Sequence, residues 1–592
     1  MGTTARNFIF LLLVGRISAR CYDPSPAFPL PKLDSYREAS KFEHVLVGLK
    51  ESLEELTLPA EYDTSSFSVE ITSSHGTLWE THHTARDKNT SRPGAATVDG
   101  TSVYRMASVT KAFTTLAIIQ QHIAGNLSLD DPIDQYLPRL GGEIPWKDIT
   151  LRTVASQLSG IPREFTQADV INEFSNPLVL GLPPVDEKAE GVPQCDVYYA
   201  YDRPCNEDDL YKDLATKKPI WPPKQKSTYS NYNFDLLGLV IEKVSGLSYT
   251  EYVKSRILQP LNMTSSSFVK SSDSTAVLPK GGTYWDVDKG IQRPTGGLYS
   301  STSDMSSFLR YVLKNYNGLT PQLNWFNPGS YSTTRSSFYG MPWEIFRTDC
   351  ILSETSRPII FVTKGGSHPG YYSSVIMLPE YDLGITILTA GSRSLKAKII
   401  EAVTVALVQA AEDVAQSNLK YRYTGEYLSP SKDLNSSLVL AHSDAKSLYI
   451  ESFVSNSTDV IAAWQNLTGL EENFRVQLVP TLLYRDEQNQ RGEIWRGLIV
   501  PQNRNPGLVW DDFCLTDEDS DYYARKPLFE MVFWEAQPGG KIVDHVDISA
   551  FRVRLDRKHT EHVSSEEAAD GASLKGAQMG NYGDGDQVVL NH

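Results

Sequence analysis

Arg105-Met106-Ala107-Ser108-Val109-Thr110-Lys111-Ala112-Phe113 sets a serine and a lysine three residues apart at the mouth of an apolar run that continues to Ile123. On a helix, positions i and i+3 share a face, so the Ser108 hydroxyl is expected beside the Lys111 amine. An amine can take a seryl proton only within about 2.6–3.2 Å, and this spacing supplies that reach. A helix start also offers free N–H groups and a positive dipole end, both suited to an anion developing on a substrate carbonyl. The spacing alone is weak evidence. It recurs at Ser267 and Lys270, Ser417 and Lys420, Ser429 and Lys432, and Ser443 and Lys446, so Ser108 must be singled out by the rest of the chain.

At 592 residues the chain exceeds the usual size of one domain, and its 40% hydrophobic and 22% charged content is that of a globular protein. A formal net charge of −16 argues against nucleic-acid binding, which needs a concentrated basic face. Arg6, the apolar run Phe8 to Val14 and the small-residue stretch Ile17-Ser18-Ala19 read as a signal peptide over residues 1–19. Six Asn-x-Ser/Thr acceptors, at Asn89, Asn126, Asn262, Asn435, Asn456 and Asn466, fit a glycosylating secretory route. No later stretch is long and apolar enough for a membrane span, so a secreted or lumenal protein is expected. Five cysteines are too few to build the fold. Cys195 and Cys205 bracket a polar loop and are the best pair, leaving Cys21, Cys350 and Cys514 unassigned. No zinc-type cysteine or histidine spacing, glycine-rich phosphate loop or GxSxG elbow is found, so neither metal nor organic cofactor is expected.

Periodicity divides the chain. Leu33 to Leu58 reads as a helix, and Phe67–Thr72 with Thr77–His82 as a hairpin. Helices are expected over Ala112–Ile123, Leu151–Leu158, Phe234–Val244, Ser303–Lys314 and Leu395–Val414, and Ser248 to Glu251 matches a capping box opening a further one. Asn172 to Lys224 reads as loop. A second hairpin joins Tyr371–Leu378 to Leu383–Leu388. From Tyr421 the runs become short and strand-like: Ser437–Leu440, Ser447–Phe453, Phe474–Tyr484, Glu493–Val500, Phe529–Trp534 and Ile548–Leu555, with little helical signal. These shifts give a first domain over 20–415, an all-β domain over 416–557 and a disordered tail over 558–592.

Ser108-Val109-Thr110-Lys111, Tyr229-Ser230-Asn231 and Lys364-Gly365-Gly366-Ser367 resemble, in order, the SxxK, YxN and KTG motifs of class C-type serine β-lactamases and penicillin-binding proteins. Gln157-Leu158-Ser159-Gly160-Ile161, Gly297 to Ser301, and Gly370-Tyr371 running to Leu378-Pro379-Glu380 agree as well. The likeness covers roughly residues 65–415, and the whole is most similar to secreted fungal β-lactamase-like proteins with a β-type C-terminal domain. It implies an α/β (α+β) fold in which an antiparallel sheet flanked by helices and an all-helical subdomain frame the site, followed by a smaller all-β domain.

By the same resemblance, Ser108 is the nucleophile, Lys111 its proton acceptor and Tyr229 an acid or base. Asn231 and Lys364 would hold substrate, and the backbone at Ser108 and Ser367, beside Gly366, would form the oxyanion hole. Lys111 must then titrate well below its ordinary value of about 10.4, through burial and the like charge of Lys364. The expected activity is hydrolysis of a small-molecule ester or amide through an acyl-Ser108 intermediate. The alternatives are acyl transfer in secondary metabolism, or a binding module on the same fold. Gly365 departs from the family's threonine, whose hydroxyl helps bind a substrate carboxylate, and so argues away from β-lactams and cell-wall peptides. His368, two residues before Gly370, reads either as a residue lining the cleft or as an ordinary polar loop residue.

Overall fold

Both hairpins form, and the chain brings them into one sheet. The computed structural model describes residues 27–558 apart from 33–34, 37–38, 167–168, 175, 187–194, 196–202, 283, 316–324, 353–354, 356, 432, 444–446, 470–473, 502–520 and 538–539. The expected signal peptide, most of the expected tail, Cys21 and Cys514 lie outside the described residues. Two compact units emerge, one ending at Asn418 and one beginning at Leu419.

In the first unit β1 (Ser66–Ser73) and β2 (Thr77–His83) form the leading hairpin, and β3 (Tyr104–Arg105) pairs with β4 (Tyr299–Ser300) as a separate ribbon. The main sheet continues with β5 (Ser330–Tyr331), β6 (Ser337–Tyr339), β7 (Glu344–Thr348), β8 (Ile359–His368), β9 (Tyr371–Leu378) and β10 (Leu383–Ala390). Its order is β2-β1-β10-β9-β8-β7-β6-β5. Every neighbour is antiparallel, and Ser66 pairs with Ala390 at one end of the β1–β10 ladder and Ser73 with Leu383 at the other.

Period-2 alternation in β1 would ordinarily leave its polar face in water. Here all eight residues are buried, because the polar members lie under the helix Thr302–Lys314. Arg310 of that helix donates to Thr72 at 3.1 Å, and Glu70 accepts from Thr77 at 2.8 Å. A second layer of helices, Thr110–Ile123, Leu151–Ala155, Tyr232–Ser245 and Tyr249–Val253, packs on itself around Phe113, Leu116, Leu236, Val240 and Val253.

The stretch Asn172 to Lys224 is not loop throughout. Glu207–Leu214 is a helix closed by a capping box between Asn206 and Asp209, and it buries Leu210, Tyr211 and Leu214. Its acidic first turn hid the signal, although acidic groups favour a helix start. Cys195 and Cys205 are disulfide-bonded, and Cys350 is an exposed free thiol.

The second unit is an all-β barrel. Its main strands are β11 (Gly425–Leu428), β12 (Ser437–Ser443), β13 (Ser447–Ser455), β14 (Thr458–Asp459), β15 (Phe474–Asp486) and β16 (Arg491–Pro501). A ribbon of β17 (Tyr522–Tyr523) and β18 (Lys526–Pro527) precedes β19 (Glu530–Glu535), β20 (Val543–Ile548) and β21 (Val553–Arg557). The order β12-β11-β21-β20-β19-β16-β15-β13-β14, with a further β12–β13 pairing, closes eight strands on themselves and appends β14. The single strand expected over Ile548–Leu555 is instead the end of β20, a turn and the start of β21, with Arg552 at φ 52°. A helix, Val460–Thr468, also occurs, its N-cap Asp459 accepting from Ala462 N–H at 3.0 Å.

Candidate active site

Ser108 sits in a short 3-10 turn, Ala107–Val109, that runs directly into the helix Thr110–Ile123. The turn is held in an uncommon conformation. Ala107 has φ 47°, a left-handed value that costs a non-glycine residue roughly 1–3 kcal/mol and persists only where its surroundings enforce it. Those surroundings are Met106 N–H donating to Leu298 C=O at 2.9 Å and Ser373 Oγ donating to Met106 C=O at 2.7 Å. Strand β8 presses on the same turn. A Cβ at Gly366 would lie 2.2 Å from the Met106 carbonyl oxygen and 2.3 Å from Ser373 Oγ, so only glycine lets the strand approach.

Lys111 is fully buried and its Nζ donates to Ser108 Oγ at 3.0 Å and to Thr295 C=O at 2.8 Å. Its ammonium also lies 5.2 Å from the centre of the Tyr229 ring and 5.4 Å from that of Phe234. Burial first, and the like charge of Lys364 second, lower its pKa below the ordinary lysine value, against the opposing pull of Tyr229 and Glu164. The Tyr229 ring thus lies between the two buried lysines, its centre 5.2 Å from Lys111 Nζ and 5.1 Å from Lys364 Nζ. Burial alone would raise its phenol, but the two ammonium groups outweigh burial and lower it. Lys364, also buried, lies 5.1 Å from the Tyr229 ring centre.

The segment 228–233 is fixed by the phrase that begins at Gln157. Gln157 Oε1 accepts from Ser230 N–H at 2.8 Å and from Asn233 Nδ2 at 3.0 Å, Ser159 donates to Asn233 at 2.8 Å, and Asn231 N–H donates to Arg163 C=O at 2.7 Å. Asn231 Nδ2 donates to Glu164 at 2.6 Å.

Behind Lys111 lies a second buried acid. Thr295 Oγ1 is hydrogen-bonded both to Asn231 C=O, at 3.0 Å, and to the Asp235 carboxyl. One hydroxyl proton cannot serve two acceptors, so a neutral Asp235 donating to Thr295 satisfies the chain. Burial pushes the Asp235 carboxyl up to about 8, against lowering by the Thr295 bond and by Lys111 and Lys289.

The free edge of β8 completes the arrangement. Pairing with β7 ends at Thr363 opposite Glu344. Gly365 N–H points to that side, since it donates to Glu344 Oε2 at 3.0 Å. Backbone direction repeats every second residue along a strand, so the exposed Ser367 turns its N–H the same way, beyond the end of β7.

The structure therefore brings together Ser108, Lys111, Tyr229, Asn231, Lys364 and Gly366, with Ser367 on the adjoining edge. His368 is not a loop residue but the last residue of β8. It is buried behind the Ser108 turn, its Nε2 2.9 Å from Gly296 C=O and its ring 4.7 Å from that of Tyr284. Burial, then Lys289 and Arg105, hold it well below the usual histidine range, so it is a neutral packing residue that also borders a cavity of about 770 Å³ shared with Phe174 and Ser367. Of the sequon asparagines, Asn126, Asn262, Asn435, Asn456 and Asn466 are exposed and Asn89 is half-buried. Glu344, Glu164, Thr295 and Asp235 escaped the sequence reading. The available signal was an acid inside an apolar helix, Phe234-Asp235-Leu236, which is costly unless partnered.

Residues 55–410 match the family model described as "Beta-lactamase", and the chain belongs to the β-lactamase family. Residues 415–559 match a model described as "Beta-lactamase-like-like, C-terminal domain". The chain is 31% identical over 601 residues to "Probable hydrolase M10" of Phoma sp., spanning 99% of this chain and 98% of the relative. It is 33% identical over 593 residues to "Probable hydrolase clz13" of Cochliobolus lunatus, spanning 94% of each. Among solved structures, the octameric penicillin-binding protein homologue from Pyrococcus abyssi aligns over 87% of this chain and 99% of its own, at 18% identity and a TM-score of 0.46. The protein is thus a β-lactamase-fold member of a hydrolase family.

Proposed function

We propose that the protein is a secreted serine hydrolase that cleaves a small-molecule ester or amide through an acyl-Ser108 intermediate. The observation that carries this reading is the 3.0 Å contact between Ser108 Oγ and a buried Lys111 amine whose pKa is lowered. A neutral amine at that distance can remove the hydroxyl proton as Oγ attacks the carbonyl carbon. The Ser108 and Ser367 N–H groups face the carbonyl oxygen and stabilise its developing charge, a donor of this kind being worth about 10²–10³ in rate. Tyr229, its ring beside both lysines, gives its phenol proton to the departing alkoxide or amine as the C–O or C–N bond breaks and is reprotonated by the Lys111 ammonium. Water then attacks the acyl-enzyme by the same route in reverse, freeing the acid and restoring Ser108. Secretion is supported by the leader-like first residues, the Cys195–Cys205 disulfide and the exposed sequons.

The test is labelling of the whole chain with a fluorophosphonate, followed by intact mass and peptide mapping. One adduct on Ser108, absent from Ser108→Ala and accompanied by loss of nitrophenyl ester turnover, is the expected result. Labelling that persists in Ser108→Ala would refute the assignment.

A further inference from the structure

Lys111 serves as a base only when its lone pair, and not an N–H, faces Ser108. A neutral amine has two N–H donors and one lone pair, and Thr295 C=O takes one donor at 2.8 Å. With that donor fixed, the lone pair can turn to the Ser108 hydroxyl 3.0 Å away. Where the Thr295 carbonyl stands therefore decides which way the base points.

Thr295 lies in a single helical turn, Arg293–Gly296, packed between the helix that carries Lys111 and the helix Tyr232–Ser245 that follows Asn231. On the first side Thr114 Oγ1 donates to Pro294 C=O at 2.6 Å, and Leu298 N–H donates to Thr110 Oγ1 at 3.1 Å. On the second side the Thr295 hydroxyl bonds Asn231 C=O and the Asp235 carboxyl, and Gly238 admits Pro294, since a Cβ there would lie 2.2 Å from the proline ring. Asp235 is fully buried. Both bonds are satisfied when its acid proton goes to Thr295 and the Thr295 proton goes to Asn231.

The same carboxyl feels the charge of the base. Burial pushes it up to about 8, Lys111 from the Ser108 helix and Lys289 from the turn before Gly290 lower it, and Glu164 from the loop after Gly160 raises it. Its own helix brings the Tyr232 hydroxyl near. Such coupling is mutual, so an ionised Asp235 holds the Lys111 proton on.

Resting on the acyl-Ser108 reading, we infer that Asp235 is a positioning residue that, in its neutral form, aims Lys111 at Ser108 through Thr295 and disarms the base when it ionises. Loss of its proton acts in two ways. Thr295 turns its own proton to the carboxylate and gives up the Asn231 C=O bond, which loosens the turn that holds Lys111. The remaining proton of the pair can then sit on Lys111, leaving an ammonium with no lone pair for the Ser108 O–H. The site is armed over a window, closed at low pH by the Lys111 ammonium and at high pH by the Asp235 carboxylate.

The experiment follows the rate of fluorophosphonate labelling of Ser108 and kcat/KM for nitrophenyl butyrate over about pH 5 to 10, with circular dichroism confirming the fold at each pH. The wild-type protein is expected to rise, peak and then fall by about tenfold or more above pH 8. Asp235→Asn, whose amide donates to Thr295 and does not titrate, is expected to keep the rise and lose the fall. Asp235→Ala, with neither donor nor charge, is expected to lie at least about tenfold below Asp235→Asn at the plateau. A packing role alone would scale the whole curve and leave its shape. A wild-type profile without the alkaline fall, a fall that persists in Asp235→Asn, or equal curves for the two variants overturns the inference. If Ser108 takes no fluorophosphonate and no ester turns over, the acyl-enzyme reading is what fails. In that case, or if Asp235→Asn does not fold, the Lys111 Cε resonance of lysine-labelled wild-type protein, assigned by its loss in Lys111→Met, decides: two inflections with pH are expected, and a single one overturns the inference.

Discussion

Gly366 and Gly365 are neighbours on β8, yet adding one methyl group to each should have opposite consequences. At Gly366 the new Cβ would lie 2.2 Å from the Met106 carbonyl oxygen and 2.3 Å from Ser373 Oγ. Ordinary contact begins near 3.4 Å, so strand and turn must part by about 1 Å, and the Ser373–Met106 hydrogen bond that holds the turn must lengthen or break. Overpacking of this kind costs about 1–3 kcal/mol, and a displacement of about 1 Å between a nucleophile and the groups facing its substrate costs about 10² in rate. At Gly365 the Cβ meets only Glu344 Oε2, at 3.4 Å, and φ is not in the left-handed region, so stability should change by less than about 0.5 kcal/mol. The assay pairs thermal unfolding with the rate of fluorophosphonate labelling of Ser108 for Gly366→Ala and Gly365→Ala. Wild-type labelling and melting in Gly366→Ala, or equal damage from both substitutions, would refute the claim that β8 is gauged against the Ser108 turn.

Other outcomes follow from the same geometry. The ester kcat/KM should rise with pH through the lowered pKa of Lys111, because only the neutral amine accepts the Ser108 proton, and Lys111→Met should lose at least about 10² of the rate at every pH; a rate–pH profile of both proteins checks this. Asp235 has a raised pKa in the folded state, so its burial costs nothing below about pH 4 and stability falls as pH rises from there towards 8, by up to about 1.4 kcal/mol per pH unit, then levels off. Asp235→Asn, followed by denaturant unfolding across that window, should flatten the decline. Arg357 is buried with Glu380 at 2.7 Å, Glu412 at 2.5 Å and the Tyr381 hydroxyl at 2.6 Å, so Arg357→Ala should destabilise by about 3–5 kcal/mol by stranding two carboxylates, a loss measurable by urea unfolding.

What the sequence made legible was local. Period-2 runs announced the β1–β2 and β9–β10 hairpins, and the ordered motifs placed Ser108, Lys111, Tyr229 and Lys364 in one site before any geometry was known. What it concealed depends on register between distant strands. Glu344 reads as an ordinary polar residue at the start of Glu344-Ile345-Phe346-Arg347-Thr348, and only the pairing with Thr363 turns it onto Lys364. Asp235 reads as an interruption in an apolar helix until Thr295, sixty positions on, supplies its partner. His368 reads in the sequence either as a cleft residue or as a polar loop residue, and its packing on the Tyr284 ring, tilted by 39°, comes from a segment with no marked pattern.

The register of β1 against β10 also has a consequence in time. Ser66 pairs with Ala390, so the leading hairpin must wait for more than three hundred further residues before its inner edge is covered. At roughly 5–20 residues per second of synthesis that interval is about 15–60 s, during which Phe67, Val69 and Ile71 present an apolar strand with unpaired backbone groups to whatever is nearby. The nascent chain therefore passes through a long vulnerable period set by topology alone. Its yield in a foreign host should depend on how well the unfinished sheet is shielded while the ribosome works.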